Sequence, residues 1–194
     1  MKNIILLLIL LVTAGLLMAD TMPDFTLPDL NNQDVTLNSI LQKGPVIVDF
    51  WATWCVPCKK GMSALNKLAE KYDSLTVVAV SIDAPKDIPK AKSYLKSMNY
   101  KFTALFDSNK KLAQKLNVVN PPYTVILDKE GNIIFTHEGY ETGAETMYEQ
   151  KIRELWGLTE EKKETAEPEP EKAELLPKEK SAEPCGELPC GGCQ

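Results

Sequence analysis

Apolar residues gather along this chain in runs whose spacing changes from segment to segment, and the spacing predicts the elements. Pro45 to Ala52, "PVIVDFWA", and Leu75 to Asp83, "LTVVAVSID", are β-branched and aromatic with little polar interruption, the pattern of central strands buried on both faces. Between them, from Cys55 to Tyr72, Met62, Leu65, Leu68 and Ala69 recur at helical spacing. Upstream, "FTLPDLNNQDVTLNSIL" alternates through Phe25, Leu27, Val35 and Leu37 around the turn residues Asn31 and Asn32, which predicts a short β-hairpin. Downstream the spacing predicts a helix over Asp87 to Met98, a strand in "KFTALFD" and a short helix over Asn109 to Leu116. "YTVILD" and "NIIFTHE" flank Lys129, Glu130 and Gly131 as a second hairpin, and Glu141 to Leu158 closes as a helix with Met147, Ile152 and Leu155 on its apolar face. Strands and helices in this order require an α/β fold with a mixed central sheet covered by helices on both faces.

The two ends depart from this pattern. In residues 1–19, Lys2 precedes a nearly unbroken apolar stretch from Ile4 to Met18, and Ala19 stands before the polar Asp20. A positive start, an apolar run and a small residue make an export signal, or an uncleaved membrane anchor, so the protein is expected on the extracytoplasmic side, periplasmic or anchored. Beyond Leu158, residues 159–194 hold ten Glu and five Lys, the whole net charge of −5, and lack apolar periodicity. That composition reads as a disordered acidic tail, and the folded domain is expected over residues 20–158. The neutral body carries no electrostatic footprint for nucleic acid.

The candidate chemistry is in "FWATWCVPCKK", Phe50 to Lys60, where Cys55 and Cys58 stand two residues apart. A Cys-x-x-Cys pair fits a catalytic dithiol, a structural disulfide or half of a metal site. A structural disulfide seldom closes so small a loop, because the entropy it removes grows with loop length. A zinc site wants four ligands, and the body adds only His137, which is read as an ordinary surface or core residue. A strand ending at Trp51 and a helix starting at Cys55 favour redox catalysis instead. Unpaired N–H groups at a helix N-terminus stabilise a thiolate at Cys55, and Cys58, one turn on, can attack a mixed disulfide there. Asp49 is the one charge inside the buried run "VIVDFW"; unless it points out at a strand end, burial is expected to raise its pKa.

"VIVDFWATWCVPCKK" resembles the active-site strand and helix of thioredoxins, and the wider pattern is similar to the TlpA-like (ResA-like) family of exported thiol–disulfide oxidoreductases. The resemblance spans Met22 to Leu158, including the opening "PDFTLPDLNNQDVTL". It implies a thioredoxin-like fold with an N-terminal hairpin and a helix–strand insertion, supplied here by Asp87 to Phe106. It further implies Cys55 as nucleophile, Cys58 as resolving cysteine and Asp49 as acceptor of the resolving proton. Trp54, Pro121 and Pro122 become substrate-binding residues, with Pro122 as the family's cis-proline. Pro121 departs from the family in offering no N–H to an extended substrate, and the thioredoxin lysine that partners the aspartate maps to Ala79. A peroxiredoxin would need Pro and Thr or Ser where Val48 and Ala52 stand.

What the resemblance implies is a monomer without cofactor or resident metal, reducing protein disulfides with electrons from a membrane donor. Such proteins serve cytochrome c maturation or metal-centre assembly. The alternative from a different class is a cysteine-rich copper or zinc chaperone without turnover. Cys185, Cys190 and Cys193 in "PCGELPCGGCQ" bear on it, since they can form a three-thiolate site or act as a tethered redox partner of Cys55.

Overall fold

The computed structural model describes residues 20–158; the expected export segment, residues 1–19, and the acidic tail with Cys185, Cys190 and Cys193 lie outside the described residues. Strands β1 (Thr26–Pro28) and β2 (Asp34–Thr36) form the antiparallel N-terminal hairpin. Its turn is built by Asp29, whose Oδ1 accepts from the Asn31 and Gln33 amides at 2.7 and 2.8 Å, while Asn32 takes a left-handed φ of 61°. The alternation through Leu37 predicts strand there, but the chain turns into a short helix, α1 (Leu37–Leu41). Thr36 decides this by capping: its hydroxyl accepts from the Ser39 amide at 3.3 Å, and Leu37 and Ile40 then bury one helical turn apart.

The main sheet has five strands in the order β5-β4-β3-β6-β7. These are β3 (Val46–Trp51), β4 (Thr76–Ser81), β5 (Thr103–Phe106), β6 (Tyr123–Leu127) and β7 (Ile133–Glu138). β3 and β4 run parallel, as do β4 and β5, whereas β6 is antiparallel to β3 and β7 to β6. Four helices accompany them: α2 (Val56–Lys71), α3 (Ile88–Met98), α4 (Lys111–Lys115) and α5 (Ala144–Leu155). The insertion expected over Asp87 to Phe106 is α3 followed by β5, which extends the sheet at one edge. This is the α/β thioredoxin-like fold with a mixed sheet, flanking helices and an N-terminal hairpin.

Every residue of β3 is buried, as its unbroken apolar run predicts. Alternation along the strand divides the core in two. Val46, Val48 and Phe50 enter one cluster, with Ala91 and Leu95 of α3. Ile47 enters the other, with Leu65 and Leu68 of α2, Ile126 of β6, and Tyr148 and Ile152 of α5. Burying one such branched side chain stabilises the fold by about 1.5–3 kcal/mol, so the strand carrying the site is firmly held. Asp49 stands in that strand against this gradient.

Candidate active site

Cys55 and Cys58 are joined in a disulfide where β3 passes into α2. Cys55 is the N-cap of α2, and its Sγ accepts from the Cys58 amide at 3.2 Å. Pro57 occupies the first turn, where a missing N–H leaves no bond unmade. The cap geometry aims a backbone donor and the positive end of the helix at the Cys55 sulfur, both of which favour its thiolate when the bond is reduced. Cys58 is wholly buried. Trp54 and Val56, at 61% and 67% exposure, stand on either side of Cys55 as an apolar rim.

The loop from Trp51 to Cys55 is held by a cluster that the sequence reading did not find. Asp83, fully buried just past β4, accepts from the Thr53 amide at 3.1 and 3.0 Å on its two oxygens, and from the Thr53 hydroxyl at 2.8 Å. The Ser81 hydroxyl donates to the same carboxylate at 2.9 Å. Two more bonds finish the bend, from the Ile82 amide to the Trp51 carbonyl at 2.9 Å and from the Cys55 amide to the Ala52 carbonyl at 3.0 Å. The legible signal was "SID" ending a strand otherwise apolar, with Ser81 and Asp83 two residues apart and so on one face.

The Pro121–Pro122 bond is cis, and the Pro121 carbonyl oxygen lies 3.5 Å from Cys55 Sγ. The proline loop thus faces the sulfur with an acceptor. Trp51 packs its ring on Tyr94 of α3, with centroids 5.6 Å apart, tying the insertion to the active-site strand.

Asp49 is 2% exposed and points into the sheet interior, not out at a strand end. Its Oδ1 accepts from the Thr124 hydroxyl at 2.9 Å, and its Oδ2 has no partner among the described residues. Burial pushes this carboxyl from 3.8 up to about 7, the Thr124 bond pulling weakly the other way. Ala79 is its partner across the β3–β4 pair, so the position facing Asp49 offers no cation. His137 is half-buried and engaged: its Nδ1 lies 2.7 Å from the Tyr148 hydroxyl. Among the described residues no three His, Cys, Asp or Glu side chains gather as a metal-ligand set.

Sequence and fold comparisons agree on what this geometry belongs to. The AhpC/TSA family profile matches residues 18–136. The thiol-disulfide oxidoreductase ResA of Bacillus thuringiensis subsp. konkukian is 31% identical over 120 residues, covering 62% of this chain and 69% of the relative. The thioredoxin-like protein YneN of Bacillus subtilis is 37% identical over 132 residues, 67% of this chain and 75% of its own. A crystal structure of a Chlorobium tepidum protein assigned as the thiol:disulfide interchange protein DsbE superposes with a TM-score of 0.65 at 30% identity, covering 71% of this chain and 96% of that one. The family match brings no peroxidatic motif with it, since Val48 and Ala52 hold the positions that motif needs. The chain belongs to the AhpC/TSA family, as a thiol–disulfide oxidoreductase of the ResA and DsbE type whose Cys-x-x-Cys pair is Cys55 and Cys58.

Proposed function

We propose that the protein works outside the cytoplasm as a reductase of protein disulfides, with Cys55 as nucleophile, Cys58 as resolving thiol and Asp49 as proton acceptor. The Cys55 thiolate attacks a substrate disulfide, forming a mixed disulfide and releasing one substrate thiolate. The Cys58 thiol gives its proton to Asp49 as its sulfur attacks Cys55, closing the internal disulfide and releasing the second substrate thiolate. Two electrons pass to the substrate, and a membrane donor is the proposed source that reopens Cys55–Cys58. The observation that carries these roles is the cap, with the Cys58 amide 3.2 Å from Cys55 Sγ and Cys58 itself walled off from solvent.

An extended polypeptide would lie along Trp54 and the Pro121–Pro122 loop. The Pro121 carbonyl can accept from a substrate amide, while Pro121 has no N–H to return. Service in cytochrome c maturation or metal-centre assembly is the physiological setting the reading favours. The signal-like pattern of residues 1–19, Lys2 ahead of an apolar run, supports this location.

Trapping tests the roles: Cys58→Ser should accumulate a mixed disulfide with insulin through Cys55, and Cys55→Ser should form none. Faster alkylation of Cys58 than of Cys55 at neutral pH would reverse the assignment. The direction is tested by the potential of the pair. A value near about −120 mV, that of the strong oxidant DsbA, would overturn the reductase reading.

A further inference from the structure

Asp49 can accept a proton once per turnover only if that proton then leaves. Its carboxyl is 2% exposed, and protein groups that bear exchangeable hydrogens offer a path outward. The sheet register lines up such groups. Asp49 of β3 pairs directly with Thr124 of β6, and Thr124 pairs directly with His137 of β7. Directly opposed residues share a face, so the three side chains form one row across the sheet. The neighbouring row on the same face, two residues along each strand, is Ile47, Ile126 and Phe135, all packed in the cluster that holds Tyr148 of α5. Tyr148 therefore covers the polar row as well.

The bonds follow the row. The Thr124 hydroxyl meets Asp49 Oδ1 at 2.9 Å, and the Tyr148 hydroxyl meets His137 Nδ1 at 2.7 Å. Thr124 and Tyr148 are neighbours close enough for the Thr124 side chain to act on the Tyr148 hydroxyl, with no hydrogen bond joining them in this structure. A relay along the row therefore requires side-chain motion that brings these two hydroxyls into hydrogen-bond contact. Thr124 and Tyr148 are both almost wholly buried, whereas His137 is half-buried, and no described residue bonds its Nε2. The row runs from a buried acid to the ring of a half-buried histidine.

We propose that Thr124, Tyr148 and His137 form a relay that carries the resolving proton from Asp49 to solvent. This rests on the reading of Asp49 as the acceptor of the Cys58 proton. In the loaded state protonated Asp49 donates to Thr124, Thr124 to Tyr148, and Tyr148 to Nδ1 of a neutral His137 that carries its hydrogen on Nε2. One concerted shift moves each hydrogen one place along. Asp49 is left as carboxylate, both hydroxyls keep one hydrogen each, and the imidazolium loses its Nε2 proton to water. One proton enters, one leaves, and no electrons move. Imidazole is suited to the outer end because its two ring nitrogens can take a proton on one side and release one on the other. The loss of Nε2–H leaves hydrogen on Nδ1, so the ring must exchange its proton position with solvent before the next cycle. That requirement explains why the terminal group stands at the water boundary.

A relay changes the rate of proton release without changing the equilibrium of the couple, and this separates it from a structural role. The experiment is single-turnover kinetics of the reduced full-length protein with oxidised insulin disulfides. It resolves mixed-disulfide formation from resolution by acid quench, beside a measurement of the Cys55–Cys58 potential. Asp49→Asn, Tyr148→Phe and His137→Ala are compared, the last with and without added imidazole. We expect all three to slow resolution, Tyr148→Phe and His137→Ala by roughly tenfold or more, with attack by Cys55 unchanged. Imidazole should restore His137→Ala, and the potentials of the Tyr148 and His137 variants should match wild type. If only Asp49→Asn is slow, or if imidazole restores nothing, the relay is wrong while Asp49 keeps its role. If Asp49→Asn resolves at the wild-type rate, the acceptor reading fails and the relay falls with it. His137→Ala keeps the test decisive should Tyr148→Phe fold poorly, because His137 lies at the boundary of the core.

Discussion

Two buried carboxylates stand at either side of the active-site bend, and they are solvated by the protein in opposite ways. Asp83 has donors on both oxygens: the Thr53 amide, the Thr53 hydroxyl and the Ser81 hydroxyl. Among the described residues Asp49 has one donor, the Thr124 hydroxyl, and an Oδ2 without a partner. A buried charge is tolerable when hydrogen bonds replace the water it lost, and costly when they do not. Asp83 therefore serves geometry, its bonds to Thr53 and Ser81 fixing the loop that delivers Cys55. Asp49 is left under-bonded, and its carboxyl rises to about 7, where it can both take and give a proton at physiological pH. The same side chain is a brace in one place and, in the proposed mechanism, a base in the other, and the count of donors separates the two.

Breaking the brace should have the largest effect. Asp83→Ala leaves the Thr53 amide, the Thr53 hydroxyl and the Ser81 hydroxyl without their shared acceptor, and should cost about 5 kcal/mol in urea unfolding of the oxidised protein. A loss under about 1 kcal/mol would remove Asp83 from the role of brace.

Asp49 should show itself in the pH dependence of stability. Its folded pKa, about 7, lies above the value of 3.8 for an exposed carboxyl. Asp49 then contributes stability that is fully present below about pH 4 and is lost as pH rises through about 7. The displacement corresponds to a loss of about 4 kcal/mol, an upper bound for one carboxyl. Asp49→Asn should flatten that part of the curve and raise stability above pH 8, the opposite sign to Asp83→Ala. An unchanged pH profile in Asp49→Asn would erase the contrast between the two residues.

The smallest effect sharpens the comparison. Thr124→Val removes the hydroxyl that donates to Asp49 Oδ1, which should push its carboxyl above about 7 and alter stability near neutral pH by about 1 kcal/mol. Infrared titration of the Asp49 carboxyl in the oxidised protein measures it. A downward shift would mean that Thr124 does not stabilise the charged form.

Much of the scaffold could be read before any coordinates. The unbroken run in "PVIVDFWA" identifies the central strand, and helical spacing from Met62 to Ala69 identifies the helix behind Cys55. The pair Pro121–Pro122 marks the loop that faces the dithiol. Less legible was the start of α1, where alternation through Leu37 yields to the Thr36 cap, because capping is decided by one hydrogen bond and not by a period. The Asp83 brace was half legible: "SID" shows two polar residues on one face, but their partner Thr53 is thirty residues away.

Sequence alone determined the elements, their order and the two cysteines at a helix start, because each depends on residues within a few positions of one another. It also showed that Asp49 sits in a strand with no other charge. Tertiary structure alone decided what each carboxylate does. Thr124 meets Asp49 across seventy-five residues of chain, and His137 joins them only through the β6–β7 register and the packing of α5. Solvation by hydrogen bonds is a property of the folded neighbourhood, and no periodicity in the chain encodes which distant hydroxyl arrives.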